Sequence, residues 1–112
     1  MLLSNLSKVI SVNKTYNFNK NKYFSAVTSN SKLTNNKTLF VYDKNTKVKK
    51  IYLDEALKNK TPAIISNKYI NNLKIPQFVV SNINFETYSL LNKLHNNFPF
   101  KTIAVTGTNG KT

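Results

Sequence analysis

The residues of this chain with the clearest chemistry are the last ten, residues 103–112, which have the form of a phosphate-binding loop. Three apolar residues predict a buried strand, and Gly107 and Gly110 then bracket a tight turn whose backbone N–H groups can surround phosphate oxygens. Lys111 would reach the β- and γ-phosphates of ATP, and the Thr112 hydroxyl would ligate Mg²⁺. The predicted ATP-binding residues are Gly107, Thr108, Asn109, Gly110, Lys111 and Thr112.

The loop departs from the general phosphate-loop motif at one position. Val105 stands where that motif has its first glycine, five residues before Gly110. The alternative is an ordinary glycine-containing turn between two strands. A Gly-Lys-Thr sequence directly after an apolar strand rarely arises by accident, which favours the phosphate-binding interpretation.

The residues before this loop predict strands that alternate with helices. Runs of branched, aromatic and other apolar residues, bounded by polar residues or proline, predict the strands, and helical spacing of apolar residues predicts the helices. The predicted strands are 23–28, 38–42, 63–65, 77–80 and 103–105. The predicted helices are 1–12, 52–58 and 84–97, with loops at 13–22 and 30–37 and a turn or loop at 69–74.

This alternation predicts the α/β fold class. We expect a small sandwich with a mixed, partly parallel sheet flanked by helices, followed by the first strand and phosphate loop of a truncated second domain. Pro99 interrupts the chain after the last predicted helix. Residues 1–98 are therefore expected to form one domain and residues 99–112 the start of the next.

Two of the helices carry patterns that predict their surroundings. Phe85, Tyr88, Leu91 and Leu94 recur every three residues along the last helix, and we expect this face to pack on the sheet. In the helix at 52–58 the acidic residues lie early and the lysine lies late, which suits the helix dipole.

The composition is strongly basic, with 17 basic and 4 acidic residues and a formal charge of +13. Every basic residue is a lysine, and the lysines are scattered apart from one cluster at 47–50. Nucleic-acid binders depend on arginine for bidentate contacts with bases and phosphates, so we expect no nucleic-acid partner. The charge is instead expected to attract an anionic nucleotide substrate.

The remaining composition narrows the classes of site and location. The chain has no cysteine, which excludes disulfides and thiolate metal sites, and its one histidine, His95, has no metal-ligand pattern around it. The apolar start is short, interrupted by polar residues and without a basic leader or cleavage site. No stretch reaches membrane-spanning length. We expect a cytoplasmic protein that does not insert into membranes.

Two parts of the sequence resemble the Mur ligase superfamily. The string Thr106 to Thr112 resembles its ATP loop, in which the first glycine is displaced two residues along, and the Thr108-Asn109 pair is most similar to the tripeptide synthetase branch. Residues 28–32, followed by the strand at 38–41, resemble the family's N-terminal Asp-Ser-Arg turn and Leu-Phe-Val strand. The helices and strands that follow have the family's order.

The resemblance implies that the domain at 1–98 binds the UDP end of a UDP-N-acetylmuramoyl peptide. Ser31 matches the serine that contacts UDP, and its hydroxyl can donate to a phosphate or uracil oxygen. Asn30 replaces the acidic residue of that turn. Lys32 replaces its arginine, which keeps the positive charge but loses the bidentate fork. Lys50 stands where the family has a histidine. The alternative for Ser31 is that it only caps a turn.

The resemblance also implies an activity for the parent enzyme. Members couple ATP hydrolysis to amide formation, and this branch adds diaminopimelate or lysine to UDP-N-acetylmuramoyl-L-alanyl-D-glutamate in peptidoglycan biosynthesis. ATP and Mg²⁺ are the implied cofactors, the UDP-N-acetylmuramoyl-dipeptide the implied substrate, and the chain is expected to be monomeric. We expect this chain to be an N-terminal fragment without ligase or ATPase activity, because the other catalytic parts would lie beyond Thr112.

Two alternatives remain open. One is a fragment of the Mur ligase that adds D-alanyl-D-alanine, which shares the N-terminal layout but tends to have serines where this chain has Thr108 and Asn109. The other is a non-catalytic basic α/β binding module that contacts nucleic acid through its lysines. Salt-dependent binding to random DNA would favour the module, and uridine nucleotide binding that survives moderate salt would favour the ligase.

Overall fold

The structure is a computed structural model that describes residues 1–45 and 50–97. The expected domain boundary near residue 98, the predicted strand at 103–105 and the phosphate loop at 107–112 lie outside these residues. The two described segments form one α/β unit, so the expected fold class is confirmed for this part of the chain.

Within the described residues, five strands form one mixed sheet. They are β1 (Lys14–Tyr16), β2 (Ala26–Thr28), β3 (Thr38–Tyr42), β4 (Ile64–Ser66) and β5 (Gln77–Val79). The order in space is β1-β5-β4-β3-β2, with β2 to β5 parallel and β1 antiparallel to β5 at one edge. The expectation of a mixed, partly parallel sheet is thereby confirmed.

Three α-helices flank this sheet in the described residues: α1 (Leu6–Val9), α2 (Lys50–Lys58) and α3 (Ile83–Asn97). Two short 3₁₀ turns, Leu3–Asn5 and Ser31–Leu33, accompany them. The opening helix expected at 1–12 is thus reduced to a 3₁₀ turn and one turn of α-helix. No helix in residues 1–45 or 50–97 is long and apolar enough to cross a membrane.

The two faces of the sheet bury separate apolar clusters because successive strand residues point in opposite directions. Leu39 and Val41 of β3 join the cluster beneath α1 and α3. Phe40 and Tyr42 join the cluster beneath α2 and the connection after β4. All five residues of β3 are buried, as expected for a strand covered on both faces by helices and connections.

The strand β1 was not predicted, because the Asn- and Lys-rich stretch at 13–22 has the composition of a loop. Lys14–Tyr16 instead pairs with β5 at the sheet edge, and the Asn13 N–H donates to the Val79 carbonyl at 2.8 Å. The Tyr16 ring lies 4.6 Å from that of Tyr69. Lysine is common on edge strands, where it discourages pairing with another chain, so composition alone misleads there.

The buried face predicted for the last helix is wrong in part. Phe85 and Tyr88 are 60% and 63% exposed, whereas Leu90 and Leu94 are fully buried against the sheet. Residues spaced three apart drift around an α-helix, and nine residues, from Phe85 to Leu94, amount to a rotation of about 180°. The true packing face follows spacings of three and four, which keep residues on one side.

The start of α2 also differs from the sequence expectation. The helix begins at Lys50 rather than at residue 52, so its first turn contains no acidic residue, and Asp54 and Glu55 lie in its second turn. Helix-dipole stabilisation by these acids is therefore lost, although Lys58 does lie in the last turn.

Candidate functional site

The residues expected to hold UDP lie in the connection between β2 and β3 and at the start of α2. Asn30 and Ser31 follow β2 directly, where the parallel strands end at the edge that we call the carboxyl edge. Strands β2 to β5 are adjacent in chain order, so these four strands contain no reversal of the kind that opens a ligand crevice in α/β sheets. A cleft here must come from the connections packed on the sheet.

Ser31 is buried where the connection between β2 and β3 packs on α2. Its Oγ donates to Glu55 Oε1 at 2.6 Å, and its carbonyl oxygen accepts from Asn59 Nδ2 at 3.1 Å and from the Thr34 hydroxyl. The hydroxyl carries a single hydrogen, and Glu55 receives it. What Ser31 Oγ can offer a ligand is therefore its acceptor lone pairs rather than the donor expected from the sequence.

Asn30 has a capping role in the structure. Its Oδ1 accepts the backbone N–H of Lys32 at 3.0 Å, which satisfies a donor at the start of the 3₁₀ turn. The Asn30 N–H in turn donates to Thr28 Oγ1 at 3.0 Å. These bonds fix the backbone that presents Ser31 and Lys32, so Asn30 shapes the turn without carrying a negative charge.

An open cleft of about 620 Å³ lies between this turn and α2. Its volume is within the range of small-molecule sites, roughly 300–1,000 Å³. The cleft combines two lysines, two acids and two exposed apolar side chains. Its lining residues are Lys32, Ile51, Tyr52, Asp54, Glu55 and Lys58.

The charges of the lining balance, because Lys32 and Lys58 face Asp54 and Glu55. A bound diphosphate would therefore need a further cation. Lys50 does not line the cleft, but it lies four residues before Asp54 and so on the same face of α2. The structure thus brings Ser31 and Lys32 to α2 and leaves Lys50 at the first turn of that helix.

Of the residues that line this cleft, only Lys32 was predicted from the sequence, and the hydrogen-bond partners of Ser31 were not predicted either. Tyr52 is a half-exposed ring of the cleft wall, Glu55 receives the Ser31 hydroxyl, and Asn59 binds the Ser31 carbonyl. One signal could have found Glu55. It is one of only four acidic residues in the chain. In a sequence with 17 basic residues, each acidic side chain is a candidate for a specific hydrogen bond.

A second polar cluster fixes the connection that follows β3. Asp43 Oδ1 accepts from Asn67 Nδ2 at 2.6 Å and from the Asn45 N–H at 2.9 Å. Asn67 Oδ1 accepts the Lys44 N–H at 2.9 Å, and Lys44 Nζ donates to the Tyr69 carbonyl at 3.3 Å. The ends of β3 and β4 are thereby joined at the carboxyl edge.

The described residues contain no group of three or more histidine, cysteine, aspartate or glutamate side chains that could hold a metal ion. His95 lies exposed in the last turn of α3. The predicted Mg²⁺ ligand Thr112 and the predicted ATP-binding residues 107–112 lie outside the described residues.

Comparison of the chain with models of known protein families and with curated protein sequences finds no match.

Proposed function

We propose that this chain is the N-terminal, UDP-substrate-binding part of an ATP-dependent amide ligase of the Mur type. The parent enzyme would add diaminopimelate or lysine to UDP-N-acetylmuramoyl-L-alanyl-D-glutamate. The observation that carries the proposal is the Thr106 to Thr112 string, which resembles the ATP loop of that family and follows an α/β unit in the chain. In this proposal residues 1–98 form the UDP-substrate-binding domain and residues 99–112 begin the ATP-binding domain.

The cleft beside Ser31 supports the substrate part of the proposal. A uridine nucleotide offers an N–H donor on its base, an aromatic-sized ring and an anionic diphosphate. Ser31 Oγ has acceptor lone pairs, Tyr52 offers an exposed ring, and Lys32 and Lys50 supply positive charge. We therefore propose Lys32 and Lys50 as contacts of the diphosphate and Ser31 as an acceptor toward the base or sugar, although Ser31 is almost fully buried and does not itself line the cleft.

The terminal loop supports the nucleotide part. ATP, when bound, would supply the phosphoryl group that activates a substrate carboxylate. Gly107 and Gly110 would let the backbone approach its phosphates, and Lys111 would neutralise their charge. Thr112 would hold the Mg²⁺ ion. Thr108 and Asn109 favour the tripeptide synthetase branch over the ligase that adds D-alanyl-D-alanine.

The proposal is tested by calorimetric titration of the purified 112-residue chain with UDP-N-acetylmuramoyl-L-alanyl-D-glutamate, UDP and ADP, in 150 mM salt. We expect saturable binding of both uridine ligands at the cleft and weaker binding of ADP. Lys32→Gln should weaken uridine binding roughly tenfold, because a hydrogen bond to a charged group contributes about 1.5–3 kcal/mol.

Lys93→Gln is the matched control, because Lys93 is an exposed lysine on α3, which packs on the opposite face of the sheet from α2. It removes the same charge and should leave uridine binding unchanged. Absence of saturable uridine binding at millimolar ligand, or an equal loss in both variants, would contradict the proposal.

A further inference from the structure

One edge of the sheet carries a lysine in every connection that enters a parallel strand. We call this edge, where β2 to β5 begin, the amino edge. The connections that reach it are residues 17–25, 34–37, 59–63 and 73–76. Their lysines are all exposed, and they are Lys20, Lys22, Lys37, Lys60 and Lys74.

None of these four connections contains an acidic residue. Asp43 lies at the carboxyl edge, Asp54 and Glu55 lie on α2, and Glu86 lies in the first turn of α3. The carboxyl edge also carries lysines, but Asp43 stands among them. The amino edge therefore presents positive charge with no opposite charge in its own connections.

Exposed apolar side chains accompany these lysines. Phe18 and Tyr23 are 44% and 46% exposed, and both belong to the connection that runs from β1 to β2. These strands are the two outer strands of the sheet, so the connection crosses its whole width, about 19 Å at the usual strand spacing. Leu2, which pairs with Tyr23 in an isolated bridge, is 41% exposed beside it.

The crossing connection is held in place by the opening residues of the chain. The Leu3 N–H donates to the Lys22 carbonyl at 2.9 Å, and the Phe24 N–H donates to the Met1 carbonyl at 2.8 Å. Asn21 and Ser4 exchange two hydrogen bonds of 3.0 Å. The aromatic and basic side chains are therefore presented by a fixed backbone, which lowers the entropy lost on binding a surface.

We propose that the amino edge binds the surface of an anionic lipid bilayer, reversibly and without insertion of a helix. Lysines near a negatively charged leaflet are attracted without any need for directed geometry, which suits five lysines spread along an edge. Leucine, phenylalanine and tyrosine side chains can enter the interfacial layer, where aromatic rings are favoured. This binding goes beyond the proposed ligase function and does not depend on it.

A bilayer fits these observations better than a nucleic acid does. Every basic residue is lysine, and lysine lacks the planar fork that grips phosphates and base edges bidentately. Single strands also need a series of free aromatic faces for base stacking, and this edge offers two exposed aromatic rings, Phe18 and Tyr23.

Vesicle co-sedimentation of the 112-residue chain tests the proposal, with vesicles of phosphatidylcholine alone and of phosphatidylcholine with 30% phosphatidylglycerol. We expect binding to the anionic vesicles only, weakened by salt. The triple variant Lys20→Gln, Lys22→Gln, Lys37→Gln should lose roughly a hundredfold in partitioning, since each lysine near the surface contributes roughly fivefold. Phe18→Ser should lower partitioning with no change in charge.

The matched control is Lys8→Gln, Lys14→Gln, Lys68→Gln, which removes the same charge from exposed lysines outside the amino edge. It should retain most of the partitioning, and circular dichroism should show both triple variants folded. Equal losses in the two triple variants, equal binding to both vesicle types, or tighter binding to single-stranded DNA than to anionic vesicles at one salt concentration would overturn the proposal.

Discussion

The hydrogen bond between Ser31 and Glu55 makes a prediction whose size follows from its geometry. The Oγ-to-Oε1 distance is 2.6 Å, which is in the range of a charge-assisted bond, and Ser31 is almost fully buried. Such bonds contribute about 1.5–3 kcal/mol when both partners are shielded from water. Glu55 is half-buried, so water can replace the lost donor in part, and we expect a coupling free energy below that range, about 1 kcal/mol.

The assay is a double-mutant cycle in urea, with Ser31→Ala, Glu55→Ala and the double variant. We expect the single variants to lower the free energy of unfolding, and the double variant to lower it by about 1 kcal/mol less than the sum of the two. The exposed pair of Ser4 and Asn21, in which Asn21 Nδ2 donates to Ser4 Oγ at 3.0 Å, provides a comparison cycle. Its coupling should be below about 0.5 kcal/mol, because water competes for both partners.

The outcome decides what Ser31 can do for a ligand. A coupling indistinguishable from that of the Ser4 and Asn21 pair would refute the reasoning, because the Ser31 hydrogen would then not be held by Glu55. The hydroxyl would be free to donate to a ligand oxygen, as first expected from the sequence. A coupling of the expected size supports the acceptor role.

Four further predictions concern stability. Lys60 lies two residues after the end of α2 and has a left-handed φ of 67°. Its N–H donates to the Leu57 carbonyl and the Thr61 N–H donates to the Ala56 carbonyl, the pattern of a Schellman helix end. Lys60→Gly should therefore raise the free energy of unfolding by up to about 1 kcal/mol, whereas Lys58→Gly inside the helix should lower it by about 1 kcal/mol. Gln77→Leu should cost about 2–4 kcal/mol in urea unfolding, because the buried amide satisfies both backbone groups of Ile70; a loss below 1 kcal/mol would contradict this. Burial lowers the pKa of the Met1 amine from 8.0. The unfolded chain then binds more protons just below pH 8, so stability should rise with pH there and level off above pH 8, a slope that an added N-terminal residue should remove. Added sodium chloride should raise the urea midpoint, since it screens the repulsion of a +13 chain; a fall would mean that ion pairs dominate.

The strands buried on both faces were the most predictable elements. The strand predicted at 38–42 coincides with β3, that predicted at 63–65 is shifted by one residue from β4, and that predicted at 77–80 is one residue longer than β5. A short apolar run between polar connections is buried in the core. Pairing in a sheet is one of the few ways to satisfy its backbone hydrogen bonds there. At these strands the burial and the residue types both favour a strand, so a single sequence is enough to predict them.

The edges and helix faces were less predictable because other residues decide them. Lys14–Tyr16 becomes a strand through pairing with β5, which lies more than sixty residues later in the chain. The face of α3 depends on a rotation that spacings of three do not fix. In the candidate site, Ser31, Asn30 and Lys32 were found through a resemblance, but the partner that defines the Ser31 hydroxyl, Glu55, lies on another element.

Three of the four acidic residues of the chain accept hydrogen bonds from other elements or connections. Glu55 accepts from Ser31 across the cleft, Glu86 of α3 accepts the Ser11 N–H at 3.0 Å, and Asp43 accepts from Asn67 between β3 and β4. Each carboxylate is therefore placed by a structural contact on a face or at the carboxyl edge. The amino edge has no such contact in its connections and keeps its lysines uncompensated. Replacing any of these three acids with a neutral residue would therefore have two effects. It would remove a hydrogen bond between elements, and it would increase the electrostatic self-repulsion of the chain.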